Sequence, residues 1–200
     1  MSYLIIGSHP YSGSFTIGLT KRIIELLEEK GESVTHIDLV ADGFDPVMTE
    51  DDLNLWKEGK YKTELVGEYK AKLEKADILI FPFPVWWGTE PAVLKGFFDK
   101  VFLPNFAFKY GEKGELVGLL NGKKAIVITT MEVSVELFNN HLNNPIEGAI
   151  IKNTLNACGI DVIKHFSIGN IASIGRLDAE KEMDKIIYFI RHHQYKLNPY

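Results

Sequence analysis

The chain has 200 residues, a hydrophobic fraction of 46%, a charged fraction of 24% and a formal net charge of −5. That length carries one sizeable core and falls short of two ordinary domains, so a single domain over residues 1–200 is expected. The negative balance and the absence of a dense Lys/Arg run exclude a general nucleic-acid surface. A lone cysteine, Cys158, excludes an intrachain disulfide and a cysteine-rich metal site.

Strand and helix signals alternate along the chain. Tyr3 to Ile6 is a short apolar run that stops at Gly7, which predicts a buried first strand. It is too short to span a bilayer and lacks the basic start of a secretory signal, so a cytoplasmic domain without membrane insertion is expected. A turn-rich stretch, Ser8-His9-Pro10-Tyr11-Ser12-Gly13-Ser14, leads into a helical pattern that Gly31 stops. Val34, His36, Ile37 and Leu39 read as a second strand. The acidic segment from Asp42 to Lys60 reads as a surface excursion with a short helix.

A helix from about Thr63 to Lys75 precedes the strand Ile78-Leu79-Ile80-Phe81, and Pro91 opens the next helix, expected to reach Phe102. Lys123 to Thr130 holds a further apolar run. Glu147 to Ala157 is expected to be a helix closed by Gly159, Asp161 to Ser167 the last strand, and Asp178 to His193 the terminal helix. Continuous apolar strands separated by helices imply a five-stranded parallel sheet covered on both faces, an α/β doubly wound sandwich. Ligands in such folds sit beyond the carboxyl ends of the strands, which directs attention to the loops after Ile6, Phe81 and Thr130.

The first of these loops carries Ser8, His9, Ser12, Gly13, Ser14 and Thr16 just before a helix. Unpaired N–H groups and positive partial charge at a helix start suit a phosphate, although Ser and Thr are also ordinary helix caps. The loop matches neither a Walker A sequence nor the dinucleotide glycine fingerprint. The second loop, Pro82 to Pro91, sets Trp86 and Trp87 between prolines and Gly88, and these flat surfaces could pack a planar heterocycle. Cys158 reads as a small buried apolar residue, and the adjacent His192 and His193 as helix-end residues that make a poor metal pair.

The block from Phe83 to Phe102, Phe-Pro-Val-Trp-Trp-Gly-Thr-Glu-Pro-Ala-Val-Leu-Lys-Gly-Phe-Phe-Asp-Lys-Val-Phe, resembles the NAD(P)H:quinone oxidoreductase family of flavodoxin-like proteins. Phe106-Ala107-Phe108-Lys109-Tyr110, His9 followed by Gly13-Ser14-Phe15-Thr16, Thr129-Thr130, and Cys158-Gly159 resemble it in the same order. The resemblance implies a noncovalent flavin, FMN or alternatively FAD, with its phosphate at His9, Ser14, Phe15 and Thr16. It places the ring against Pro84, Val85, Trp86 and Trp87, with Thr129 and Thr130 on the other side. It further implies NAD(P)H as co-substrate, a quinone-like acceptor, and a homodimer in which Phe108 and Tyr110 wall the partner's pocket. Tyr110 and His141 are then the acceptor-side candidates for catalysis. Met131-Glu132 stands where the family has paired glycines, and Leu137 and Phe138 occupy the neighbourhood of a family tyrosine. Two rival readings are an accessory subunit of a potassium-efflux transporter and a one-electron carrier.

Overall fold

The computed structural model describes residues 1–193, so the last stretch of the expected domain, 194–200, lies outside the described residues. From the amino end the elements are β1 (Ser2–Gly7), α1 (Phe15–Glu29), β2 (Ser33–Asp38), α2 (Glu50–Trp56), α3 (Glu64–Lys75), β3 (Ile78–Pro84) and α4 (Ala92–Val101). Then come β4 (Phe108–Tyr110), β5 (Leu116–Gly118), β6 (Lys124–Thr130) and α5 (Val135–Asn140). A π-helical segment, Glu147–Leu155, runs into a 3-10 turn, Asn156–Cys158, before β7 (Asp161–Ile168) and α6 (Arg176–His192).

Five strands form one sheet in the order β2-β1-β3-β6-β7, and every neighbouring pair is parallel. The order reverses between β1 and β3, which makes their carboxyl ends a topological switch point. Alternation along each strand sorts the side chains into two cores. Leu4, Ile6, Leu79, Phe81, Ala125 and Val127 pack with α3, α4 and the π segment. Tyr3, Ile5, Ile78, Ile80, Ile126 and Ile128 pack with α1 and α6. Each Leu, Ile, Val or Phe among them contributes about 1.5–3 kcal/mol on burial, so burial on both faces rather than strand propensity holds the sheet together.

The structure corrects four expectations. β3 extends through Pro84, so the start of the expected second loop belongs to the strand. Prolines are tolerated there because β1 pairs with β3 only as far as Ile80. Val85 donates its N–H to the Thr130 carbonyl at 2.8 Å. Alternation therefore turns the missing N–H groups of Pro82 and Pro84 away from β6, toward the side where pairing has ended.

Pro91 sits at the N-cap of α4, one position earlier than expected. The segment Glu147–Leu155 is wound as a π-helix, and the Thr154 hydroxyl donates to the Ala149 carbonyl, five residues back, at 2.8 Å. Gly159 closes it at φ 89°, as anticipated from its position. Finally, β4 and β5 pair as an antiparallel hairpin, and α5 follows β6, neither of which the periodicity predicts.

Candidate functional site

The loop after β1 turns directly into α1. Ser14 caps that helix, its Oγ accepting from the Ile17 N–H at 3.2 Å. The N–H groups of Phe15 and Thr16 have no carbonyl one turn earlier inside the helix and remain donors for a ligand. His9 Nδ1 accepts the Tyr11 N–H at 3.1 Å, which leaves Nε2 to carry the proton of the neutral ring. Burial holds the His9 imidazole below its usual pKa. Beside it, Ser8 Oγ is buried with no hydrogen-bond partner among the described residues.

Beyond β3 the chain makes a tight turn at Trp86-Trp87-Gly88-Thr89. Trp86 N donates to Thr89 O at 2.8 Å, and Thr89 N returns to Trp86 O at 3.2 Å. The central residues have φ 53° at Trp87 and 85° at Gly88, the pattern of a type I′ turn. Glycine adopts that backbone freely; Trp87 holds it against the steric preference of an L-residue. Its indole is fully exposed, while Trp86 meets His9 edge-on with ring centroids 6.1 Å apart.

The third wall is the end of β6. Thr130 Oγ1 lies 3.0 Å from Thr16 Oγ1, tying this strand end to the start of α1. Met131 is held through its main chain: its N–H donates to Ile168 O at 2.9 Å, and its carbonyl accepts from Ile171 N at 3.0 Å. The chain after β7 comes this close because Gly169 has no side chain; a Cβ there would lie 2.7 Å from the Val133 carbonyl oxygen.

These three loops enclose two adjoining cavities. The smaller, about 330 Å³, has His9, Ser14, Phe15 and Thr16 on one side and Pro84, Val85 and Trp86 on another. Thr130, Met131 and Glu132 close the third side, and Tyr11, Ile171 and Ala172 complete it. The larger, about 810 Å³, lies between Val85–Gly88 and Met131–Val133, with Phe138, Leu142 and Pro145 beyond. Val85, Trp86, Met131 and Glu132 line both. Met131 packs its side chain into the core at 2% exposure, so it walls the space rather than filling it. The arrangement offers donors for an anion at one end and broad apolar walls for a planar ring at the other.

Eight of the residues singled out from the sequence thus meet at the smaller cavity, and Trp87 joins at the larger one. Thr129 does not. It shares a face with Ala125 and Val127, and its hydroxyl is engaged by His165 Nε2 at 2.9 Å and by the Phe166 carbonyl at 3.3 Å. His141 is exposed at the C-cap of α5, where its N–H bonds Leu137 O, and its neighbour Leu142 reaches the cavity instead. Phe108 lines a separate 360 Å³ groove with Trp56, Phe98 and Cys158, and Tyr110 is exposed on the hairpin. Burial pushes the Cys158 thiol up to about 11, which leaves it un-ionised at neutral pH.

Sequence reasoning missed Tyr11, Val133, Phe138, Leu142, Pro145, Ile171 and Ala172. The loop after the edge strand β7 contributes two of these, and a search of all five strand ends would have reached it.

A family model described as flavodoxin-like fold matches residues 1–188. An "Uncharacterized NAD(P)H oxidoreductase" of Haemophilus influenzae is 31% identical over 173 residues, 86% of this chain and 85% of that one. "NAD(P)H dehydrogenase (quinone) 1" of Cavia porcellus is 33% identical over 181 residues, 80% of this chain and 66% of the Cavia protein. Among solved structures, Smu.1420 from Streptococcus mutans UA159 superposes with a TM-score of 0.85 at 32% identity, covering 96% of this chain and all of that one. With its 2-1-3-6-7 parallel sheet and a site at the switch point, the chain belongs to the flavodoxin-like family of NAD(P)H oxidoreductases.

Proposed function

We propose that this chain is a flavin-dependent NAD(P)H:quinone oxidoreductase. The observation that carries this reading is the pair of joined cavities, 330 and 810 Å³, sharing Val85, Trp86, Met131 and Glu132 at the strand ends. A flavin suits them chemically. The first-turn N–H groups of α1 and His9 Nε2 are donors for a phosphate, and the unpaired Ser8 hydroxyl adds polar capacity behind that loop. FMN is favoured over FAD in a chain of 200 residues.

The flavin, when bound, supplies the two-electron centre that takes hydride from NAD(P)H and passes it to a quinone. The protein's part is placement. Val85, Trp86 and Met131 present the apolar surface on which a ring can lie. The larger cavity then receives the nicotinamide and the acceptor in turn, giving a ping-pong sequence in which NAD(P)H, a proton and a quinone become NAD(P)⁺ and a hydroquinone.

The β4–β5 hairpin holds Phe108 and Tyr110 away from their own chain's cavity, which supports a homodimer whose partner supplies them. No helix among the described residues is long and apolar enough to cross a membrane. A cytoplasmic setting is part of the proposal. The oxidoreductase names of the relatives do not favour the transporter-accessory alternative.

The test is direct. Purified protein titrated with FMN should quench the flavin fluorescence, and the loaded protein should oxidise NADPH or NADH when menadione is supplied. Parallel lines in double-reciprocal plots would match a shared cavity. Folded protein that takes up neither FMN nor FAD at micromolar concentration ends this reading.

A further inference from the structure

We infer that Glu132 sets the charge preference of the larger cavity, so that cationic and neutral planar acceptors are taken in preference to anionic ones. The substrate class rests on the oxidoreductase reading above; the charge preference rests on the cavity itself. Among the described residues lining the 810 Å³ space Glu132 is the single ionisable one, the other walls being Val85, Trp86, Met131, Phe138 and similar uncharged groups. It also lines the smaller cavity, so it stands where the two cavities adjoin.

No cation neutralises it. Glu132 has no ion-pair partner among the described residues. From Met131 to Ile151 the sequence carries Glu132, Glu136 and Glu147 and neither Lys nor Arg. A unit charge facing an apolar wall acts through a lower effective dielectric than in water. At separations of about 6 Å this is enough for on the order of tenfold discrimination between opposite charges. Acceptors without charge are ranked by fit alone.

The experiment uses the flavin-loaded protein with three 1,4-naphthoquinones that differ in one substituent: trimethylammonium, methyl and sulfonate. The quantity read is the ratio of kcat/KM for the cation to that for the anion. It should be about tenfold in the wild type, shrink toward one in Glu132→Gln, and invert in Glu132→Lys. Raising the salt should shrink the wild-type ratio without any mutation, because the charge is solvent-facing. A wild-type ratio at or below one, or a ratio unchanged in Glu132→Gln, overturns the inference.

Dissociation constants for the same three compounds, read by quenching of tryptophan fluorescence, separate this idea from the functional reading. Binding that follows the charge order without any turnover sustains the role of Glu132 and ends the oxidoreductase assignment. Turnover without a charge order does the reverse.

Discussion

The side-chain hydroxyls of Thr16 and Thr130 lie 3.0 Å apart in a buried contact between positions separated by 114 residues. Thr16 is the second residue of α1 and Thr130 the last of β6, so one hydrogen bond locks the helix start to the strand end where both line the smaller cavity. Removing one partner leaves the other's buried hydroxyl without its protein hydrogen bond. Thr130→Val should cost about 1–3 kcal/mol of stability, and Thr16→Val a similar amount. The double variant should cost clearly less than the sum, since no polar group is left unpaired. Urea unfolding of the four proteins checks this; strictly additive losses would show that the bond is incidental.

Acidification should weaken the flavin-free fold well before the carboxylates titrate. His9, His36 and His165 are each held below the usual imidazole value of 6.5, in every case chiefly by burial. Asp38 and Asp42 oppose that shift at His36, and Glu147 opposes it at His165, without cancelling it. Between the folded value and 6.5 the unfolded chain therefore binds more protons than the folded one, and stability rises with pH across that window. The contribution is complete above about pH 7 and is lost as pH falls through 6.5 and below.

Asp52 and Asp77 lie below the usual carboxylate range even though burial opposes it. Thr49 and Lys100 hold Asp52 there, and Ser2 leads the groups that hold Asp77. Those two matter only below about pH 4. The urea midpoint should thus be lower at pH 5.5 than at pH 7.5, and His165→Gln should narrow the gap. An unchanged midpoint would show that these partly covered rings lose no hydration on folding.

The sheet was legible because its strands are uninterrupted apolar runs bounded by glycine and proline, a pattern that burial on both faces demands. The site was legible in outline because strand ends at a switch point must face a crevice. What failed was finer. Thr129 and Thr130 look equivalent in sequence, yet alternation sends one toward α1 and the other toward His165. Only knowing which face carries α1 decides between them. The β4–β5 hairpin escaped because each strand is three residues long and Lys109 interrupts the apolar pattern. The π winding escaped because Glu147–Leu155 has the spacing of an ordinary helix, and the fifth-residue bond of Thr154 leaves no trace in sequence.

Trp87 trades stability for contact. Its φ of 53° places a bulky residue in the left-handed region, and its fully exposed indole gains nothing from burial within the chain. Trp87→Asn creates Asn-Gly at the centre of a type I′ turn, the pairing that geometry prefers. The variant should unfold at an equal or higher temperature, gaining about 0.5–1 kcal/mol. Its KM for the quinone should rise severalfold, because the indole lines the 810 Å³ cavity. Loss of stability with unchanged KM would assign Trp87 to the fold instead.

The hairpin carrying Phe108 and Tyr110 gives the dimer proposal its sharpest consequence. Neither residue lines its own chain's larger cavity. If a complete site joins one protomer's cavity to its partner's hairpin, two differently damaged chains can repair each other. Val85→Glu combined with Trp86→Ala removes the apolar wall shared by both cavities and damages the cavity half, and Phe108→Ala combined with Tyr110→Ala damages the hairpin half. Unfolded and refolded together in equal amounts, the chains should form half heterodimers by random pairing. Each heterodimer holds one intact site and one site with both defects, so about a quarter of wild-type activity should return. Each parent alone should stay low, and the recovered activity should follow the heterodimer through a tag-selective column. A mixture no more active than the average of its parents would confine each site to a single chain, leaving the exposed Tyr110 without a part in the reaction.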